Sequence, residues 1–245
     1  MTLPFQPEIF GLQINVHLIL EYLGFFVGFQ YYRYLRKQQT DEISSTNRLS
    51  IIVGAIFGAL IGSRLIGFLE APFHPETTVD WIALLNVKTI MGGLFGGLLG
   101  VELAKKIIGE TSRSGDLFTF PIIAGIFIGR IGCFLTGINE FTYGKVTTFF
   151  TGMNLGDGLL RHPTSLYELF FLVLLFIILK RIQRSKSLPK GHLFQWFMIT
   201  YFTFRFIIEF LKPNTFFIFG LSTIQWLCVT CWVYYWKTIL TQLHE

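Results

Sequence analysis

The chain has 245 residues, of which 52% are hydrophobic, 28 are phenylalanine and only 14% are charged. Because about a quarter of the residues in an average soluble domain are charged, this composition excludes an ordinary soluble domain and predicts an integral membrane protein. The net charge of +5 is spread over separate loops rather than gathered on one surface, so we expect no nucleic-acid partner.

Seven apolar windows of roughly 20 residues, the length that crosses a bilayer, follow one another along the chain. They are predicted at about 16–35, 49–69, 86–104, 117–137, 164–182, 192–211 and 219–240. The connections between them are mostly short, and no Pro/Ser-rich linker divides the chain. The sequence therefore predicts an all-α, polytopic fold with seven transmembrane helices, in which residues 1–245 form one transmembrane domain.

Basic residues concentrate around the first, third and fifth loops. They are Arg33, Arg36, Lys37 and Arg48, then Lys105, Lys106 and Arg113, then Lys180, Arg181, Arg184, Lys186 and Lys190. Since short positively charged loops stay cytoplasmic, we expect the N-terminus outside and the C-terminus in the cytoplasm. The N-terminal stretch lacks a basic start and a small-residue cleavage site, so the first helix is expected to remain in the mature protein.

Small residues and cysteines inside the windows indicate packing rather than chemistry. Stripes of glycine at 54, 58 and 62 on the second helix and at 92, 96 and 100 on the third predict close packing of these helices in the bundle. The three cysteines, Cys133, Cys228 and Cys231, all fall in predicted spans with no second Cys/His cluster. We therefore predict no metal site and interpret the motif "CVTC" as helix packing.

Ionisable residues inside the spans indicate a polar site. The predicted orientation places three arginines from three helices, Arg64, Arg130 and Arg205, at one level in the outer half of the bilayer. A charge at mid-bilayer costs about 2.5–3.5 kcal/mol even on a lenient scale. Local neutralisation is one interpretation, since Arg205 and Glu209 are i,i+4 neighbours. The whole set exceeds local pairing and favours a cavity toward the outer leaflet, whose guanidinium forks suit a phosphate.

Several motifs occur together in a recognisable order. They are "GSRL" at 62–65, "GGLLGV" at 96–101, "GRIG" at 129–132, "RHPTSLYE" at 161–168, "FRFIIEF" at 204–210 and "GLSTIQWL" at 220–227. In order and membrane depth they resemble those of the bacterial prolipoprotein diacylglyceryl transferases. The resemblance implies a multi-pass enzyme of the bacterial plasma membrane, with an active site facing the outer leaflet and neither metal nor organic cofactor.

The resemblance also implies the reaction and the residues that perform it. The diacylglyceryl group of phosphatidylglycerol moves to the lipobox cysteine of a prolipoprotein signal peptide, and glycerol phosphate leaves; membrane lipids are the other partners. The site must deprotonate a thiol and stabilise a departing phosphate. The expected catalytic residues are Arg130, Arg205, Glu209, which orients Arg205, and His162. The expected substrate-binding residues are Gly129, Arg64, Glu140, Tyr167 and Glu168.

The chain departs from the family pattern where a base is expected. The family's usual histidine before "GG" is replaced here by Phe95, and two asparagines after the glycine-arginine pair appear as Cys133 and Thr136. Glu140 matches the family's glutamate only with an insertion. Proton removal then passes to His162 or Glu168, or the thiol ionises in the field of the arginines. The alternatives are an inactive relative or lipid transporter that binds an anionic headgroup, and an enzyme acting on another lipid or acceptor.

Overall fold

The computed structural model describes residues 3–38, 43–70, 87–185, 188–213 and 219–243. Within these residues the chain forms eight α-helices, which confirms the all-α fold. They are α1 Val16–Gln38, α2 Ser45–Glu70, α3 Ile90–Ile108, α4 Asp116–Thr136, α5 Thr164–Ser185, α6 His192–Ile208, α7 Thr223–Tyr234 and α8 Trp236–Leu243. Two antiparallel strand pairs, β1 Glu8–Ile9 with β2 Leu12–Gln13 and β3 Met153–Asn154 with β4 Leu160–Arg161, lie outside them.

Every predicted apolar window contains helix, but the last window is not one continuous helix. It divides at Tyr235, whose backbone amide bonds to the carbonyl of Cys231. The surrounding run of valine, tyrosine and tryptophan has lower helix propensity than leucine or alanine. The number of helices that cross the membrane stays a prediction.

The described residues form two compact units. Unit 1 contains 3–38, 115–185, 188–197 and 210–213, and unit 2 contains 43–70, 87–114, 198–209 and 219–243. Helix α6 therefore contributes its first part to unit 1 and its last part to unit 2. The single transmembrane domain over 1–245 stays a prediction.

In unit 1, α1 and α4 run antiparallel at close distance. A Cβ atom on Gly24 would lie 2.7 Å from the carbonyl oxygen of Gly125, so the glycine permits the approach. Helix α4 ends where Gly137 adopts a φ of +58°, a conformation that favours glycine. The turn that follows brings Glu140 back toward the start of α1.

In unit 2, the glycine stripes of α2 and α3 face each other, which agrees with the predicted close packing at these stripes. Cβ atoms on Gly58 and Gly100 would lie 2.3 and 2.1 Å from the carbonyl oxygens of Gly96 and Gly54. Backbone therefore meets backbone along this contact. Cys228 and Cys231 of α7 are buried free thiols, which agrees with a packing role.

Large apolar side chains cover the outer surfaces of α1 and α2. The exposed set includes Phe25, Phe26 and Phe29 on α1 and Ile56, Phe57, Leu60 and Ile61 on α2. By length and composition alone, two helical segments of the described residues, Ser45–Glu70 and Asp116–Asn139, are able to span a membrane. An apolar surface of this extent is typical of contact with lipid.

Candidate functional site

Arg130 is a buried cation near the end of α4. Its Nε lies 2.8 Å from Oε1 of Glu168, whose side chain is only 1% exposed. Glu168 stands in the second turn of α5, which begins directly after Pro163, a residue that suits a helix start. The ion pair joins α4 to α5 and offsets the cost of burying each charge alone. The expected pair of site residues from "GRIG" and "RHPTSLYE" is thus brought together.

A histidine of α1 completes a chain of polar contacts beside Arg130. His17 Nε2 lies 3.5 Å from the Cys133 sulfur, and His17 Nδ1 lies 3.1 Å from Oε1 of Glu140. Arg130 Nη1 donates to the same sulfur at 3.6 Å. We call Arg130, Cys133, His17 and Glu140 the histidine cluster. It contains a thiol, an imidazole, a carboxylate and a guanidinium in continuous contact.

Gly132 makes room for the imidazole. A Cβ atom at this position would lie 3.0 Å from His17 Cδ2 and 3.2 Å from His17 Cα, so a larger residue would press α1 away from α4. The His17 side chain is 14% exposed and that of Glu140 is 40% exposed. The cluster is therefore packed at the sulfur and opens toward the carboxylate.

The sequence interpretation did not include His17 among the site residues. The sequence feature that points to His17 is its predicted depth in the membrane. His17 is the second residue of α1, so it lies at the predicted outer end of the first span, at the level assigned to Arg130. His17 itself was not placed by depth. Applying the depth argument to histidines would have identified His17 as a candidate site residue. Its contact with Cys133 depends on how α1 and α4 pack.

His162 and Tyr167 form a second polar group in unit 1. His162 Nδ1 lies 3.0 Å from the Tyr167 hydroxyl, which also bonds to the hydroxyl of Thr151. The backbone of His162 is held on both sides, because its amide donates to Lys145 and its carbonyl accepts from Gly144. The predicted base is thus engaged with a phenol, while Glu168, the other predicted base, is engaged with Arg130.

Unit 2 contains the pair that the sequence spacing predicts. Arg205 Nη2 lies 3.0 Å from Glu209 Oε2, and the Glu209 side chain is fully buried. The predicted i,i+4 contact is therefore confirmed. Helix α6 ends between the two residues, and Glu209 opens a short 3-10 turn. The carbonyl of Phe206, in the last turn of α6, accepts a bond from the Gln225 side chain of α7 at 3.1 Å, which ties the end of α6 to α7.

The remaining predicted residues occupy different surroundings. Arg64 in unit 2 donates to the Val87 carbonyl at 3.4 Å. Gly129 in unit 1 faces open space, since a Cβ atom there would meet nothing within 4 Å. Phe95 is buried against Phe202 and Tyr234, with ring centroids 6.4 and 6.3 Å away. The position that carries a histidine in the resembling family therefore belongs to an aromatic core here.

Comparisons with known proteins agree with one another. The family model described as "Prolipoprotein diacylglyceryl transferase" matches residues 4–240. Several relatives are named phosphatidylglycerol–prolipoprotein diacylglyceryl transferase. The one from Wolbachia sp. subsp. Brugia malayi is 32% identical over 84% of this chain and 82% of the relative. The one from Campylobacter lari is 31% identical over 88% of this chain and 84% of the relative. A relative of the same name from Nitratidesulfovibrio vulgaris is 32% identical over 71% of this chain, and the match spans 65% of that relative's length.

Proposed function

We propose that this chain transfers the diacylglyceryl group of phosphatidylglycerol to the lipobox cysteine of prolipoproteins. The chain is a membrane protein and belongs to the prolipoprotein diacylglyceryl transferase family. The acceptor sulfur forms a bond to the glycerol carbon, the carbon–oxygen bond to phosphate breaks, and glycerol phosphate leaves. The thiol proton passes to a base. The reaction therefore needs a cation near the leaving phosphate and a proton acceptor near the thiol.

The observation that carries this proposal is the buried guanidinium of Arg130, which is held by Glu168. Glu168 holds the guanidinium from one side, and Gly129 leaves space on the helix surface one residue before it. A phosphate that reaches this guanidinium meets a planar donor that is already oriented, so little side-chain freedom is lost on binding. Tyr167 and Glu140 are proposed to contribute further substrate contacts.

The proposed role of unit 2 is a second cationic group. Glu209 orients the Arg205 guanidinium, as Glu168 does for Arg130, and Arg64 is a further proposed headgroup contact. A guanidinium has five N–H donors, more than a single carboxylate oxygen accepts. Stabilisation of the charge that grows on the leaving phosphate is worth most when the donors are positioned before the reaction.

The proposed setting is the bacterial plasma membrane, with seven spans, an outside N-terminus and a site that faces the outer leaflet. The distribution of basic loops supports this orientation. A thiol label introduced at 140–160 is expected to react from outside intact cells, and one at 188–190 only after permeabilisation. Equal sidedness of the two loops would overturn the orientation.

The experiment that tests the activity uses purified protein in detergent with phosphatidylglycerol and a lipobox peptide. We expect glycerol phosphate release and a peptide mass increase equal to one diacylglyceryl group, each dependent on the peptide cysteine. Arg130→Ala should lower turnover more than lipid binding, because the charge it stabilises belongs to the transition state. A protein that binds phosphatidylglycerol without release would contradict the transferase.

Gly129→Ala gives a sharper test of whether the open helix surface at Gly129 contacts the substrate. A Cβ atom there meets nothing within the chain, and alanine favours helix over glycine by about 1 kcal/mol. The variant should therefore be at least as stable as wild type and yet release glycerol phosphate more slowly, because the methyl group intrudes on the substrate. Unchanged turnover would remove Gly129 from the substrate site.

A second candidate function is binding of an anionic phospholipid headgroup without chemistry. The aromatic surroundings of Phe95 favour it, because that position offers no base. A transferase acting on another lipid or acceptor is the third candidate. Release of glycerol phosphate with the lipobox peptide separates the proposed activity from both.

A further inference from the structure

The histidine cluster has the geometry of a nucleophile, a base and an orienting group. A carboxylate accepts hydrogen bonds and donates none, so the Glu140 oxygen that lies 3.1 Å from His17 Nδ1 places the imidazole proton on Nδ1. In the neutral imidazole Nε2 then carries the lone pair, and it faces the Cys133 sulfur at 3.5 Å. This is the arrangement in which an imidazole removes a proton from a thiol.

Two other interpretations of the cluster fail on chemistry. A metal ion would need ligands that converge, whereas Cys133 and Glu140 contact opposite nitrogens of one imidazole. Permanent use of Cys133 as the nucleophile would create a thioether on the enzyme, and a thioether sulfur is a poor leaving group. An alkylated Cys133 would therefore end turnover instead of passing the lipid on.

We propose that His17 is the general base that deprotonates the acceptor cysteine, and that Glu140 is the positioning residue that sets its tautomer. This inference rests on the proposed transferase function. In the resting protein the Cys133 sulfur marks where a thiol reaches Nε2. When the Cys133 side chain rotates away, the acceptor thiol gives its proton to Nε2, its sulfur attacks the glycerol carbon, and glycerol phosphate departs with the bonding electron pair.

The surroundings of His17 suit this role better than those of the bases expected from the sequence. The Glu168 side chain is 1% exposed, and its carboxylate is already engaged in an ion pair with Arg130. His162 shares its Nδ1 contact with a phenol rather than with a carboxylate. His17 combines an orienting carboxylate with contact to Cys133, which in turn accepts from Arg130. The acceptor thiol and the guanidinium that we assign to the phosphate thus meet in one cluster.

The test measures glycerol phosphate release by full-length protein in detergent, with a lipobox peptide as acceptor. His17→Gln keeps a polar side chain but accepts no proton, and we expect turnover at pH 7 to fall about 10²–10³-fold, the usual contribution of general base catalysis. The apparent KM for phosphatidylglycerol should change little. The matched control is His192→Gln, the same substitution at the first residue of α6, which should retain wild-type turnover.

The pH profile distinguishes a base from a structural residue. Free thiols ionise near pH 8.5, so a variant without a base gains rate as its acceptor ionises unaided. The deficit of His17→Gln should shrink at least about tenfold between pH 7 and pH 9.5. His17 contacts Cys133 from α4 and Glu140 from the segment after it. Arg130 contacts the same Cys133 sulfur, and Glu21 follows one turn along α1. Glu140→Gln should show a smaller deficit of the same pH character.

Each outcome decides a different statement. Wild-type protein that releases no glycerol phosphate overturns the transferase and this inference together. Active wild type with His17→Gln at the same rate, or with a deficit independent of pH, overturns the base assignment alone. Should the Gln variant not fold, His17→Ala is measured with added imidazole. Recovery of release supports the base, and a folded variant without recovery overturns it.

Discussion

The Arg205–Glu209 and Arg130–Glu168 ion pairs are both buried, and they arise in different ways. Arg205 and Glu209 are four residues apart at the end of α6, with Nη2 and Oε2 at 3.0 Å. Arg130 and Glu168 belong to different helices, with Nε and Oε1 at 2.8 Å. The first pair follows from helical spacing. The second exists only because α4 and α5 pack side by side.

The difference has a consequence for how each pair responds to change. A local pair forms whenever its helix forms, so it adds little to the packing of other elements. A pair between helices fails when either helix shifts, and it then leaves a charge in apolar surroundings. The four predictions below test this contrast, from the largest expected effect to the smallest.

Glu168→Ala should give the largest loss of stability. It leaves the Arg130 guanidinium buried without its carboxylate, which typically costs about 3–5 kcal/mol. The double variant Arg130→Met/Glu168→Met should recover much of this stability. It should remain inactive, because the Arg130 guanidinium is missing. Thermal unfolding in detergent measures both. Glu168→Ala with a wild-type transition would show that α4 and α5 do not depend on the pair.

Arg130→Lys and Arg205→Lys should fail in glycerol phosphate release nearly as badly as the alanine variants. Lysine keeps the charge but lacks the planar fork that binds phosphate through two donors. We expect losses of about 10²-fold, the usual effect of removing one preorganised donor. Near-normal activity of Arg205→Lys alone would mean that the local pair is structural and that only the pair between helices acts on the phosphate.

Gly96→Ala tests a tertiary contact in unit 2, where the ion pair is local. A Cβ atom there would lie 2.3 Å from the carbonyl oxygen of Gly58, so α2 and α3 must separate. Overpacking of this kind costs about 1–3 kcal/mol. Gly93→Ala is the matched control on the same helix, since its nearest neighbour is the Ser63 Cβ at 3.7 Å. Equal unfolding temperatures of the two variants would contradict the backbone contact.

The smallest effect is expected at Asp157 and Arg161, an i,i+4 pair in the segment between α4 and α5, with Oδ2 and Nε at 2.7 Å. The hydrogen bond from Arg161 lowers the pKa of Asp157 from its usual 3.8. A lowered pKa stabilises the folded chain fully above pH 3.8, and the contribution is lost as pH falls through the lowered value.

Asp157→Asn should therefore leave the unfolding temperature unchanged at pH 7, since exposed ion pairs contribute little. Hydrogen exchange of the amide of Leu159, which donates to Asp157 at 3.2 Å, should accelerate locally. A clear drop in unfolding temperature would place this exposed pair alongside the buried ones and remove the distinction.

Much of the fold could be predicted because it depends on local pattern. The apolar windows located the helices, and the glycine stripes identified faces that pack closely, although not that α2 and α3 are partners. The Arg205–Glu209 pair followed from spacing alone. The break at Tyr235 was not predicted, because hydropathy averages over a window and does not detect a single turn.

What the sequence by itself determined is the set of features that neighbouring residues impose: helix positions, the closely packing glycine faces and the local ion pair. Tertiary structure decided the pairing of Arg130 with Glu168 and the contact of His17 with Cys133 and Glu140. The physical reason is that hydropathy and spacing report on one helix at a time. Which side chains from distant segments meet depends on the rotation and offset at which helices pack. Here the absence of a side chain at Gly132 lets α4 approach the His17 imidazole.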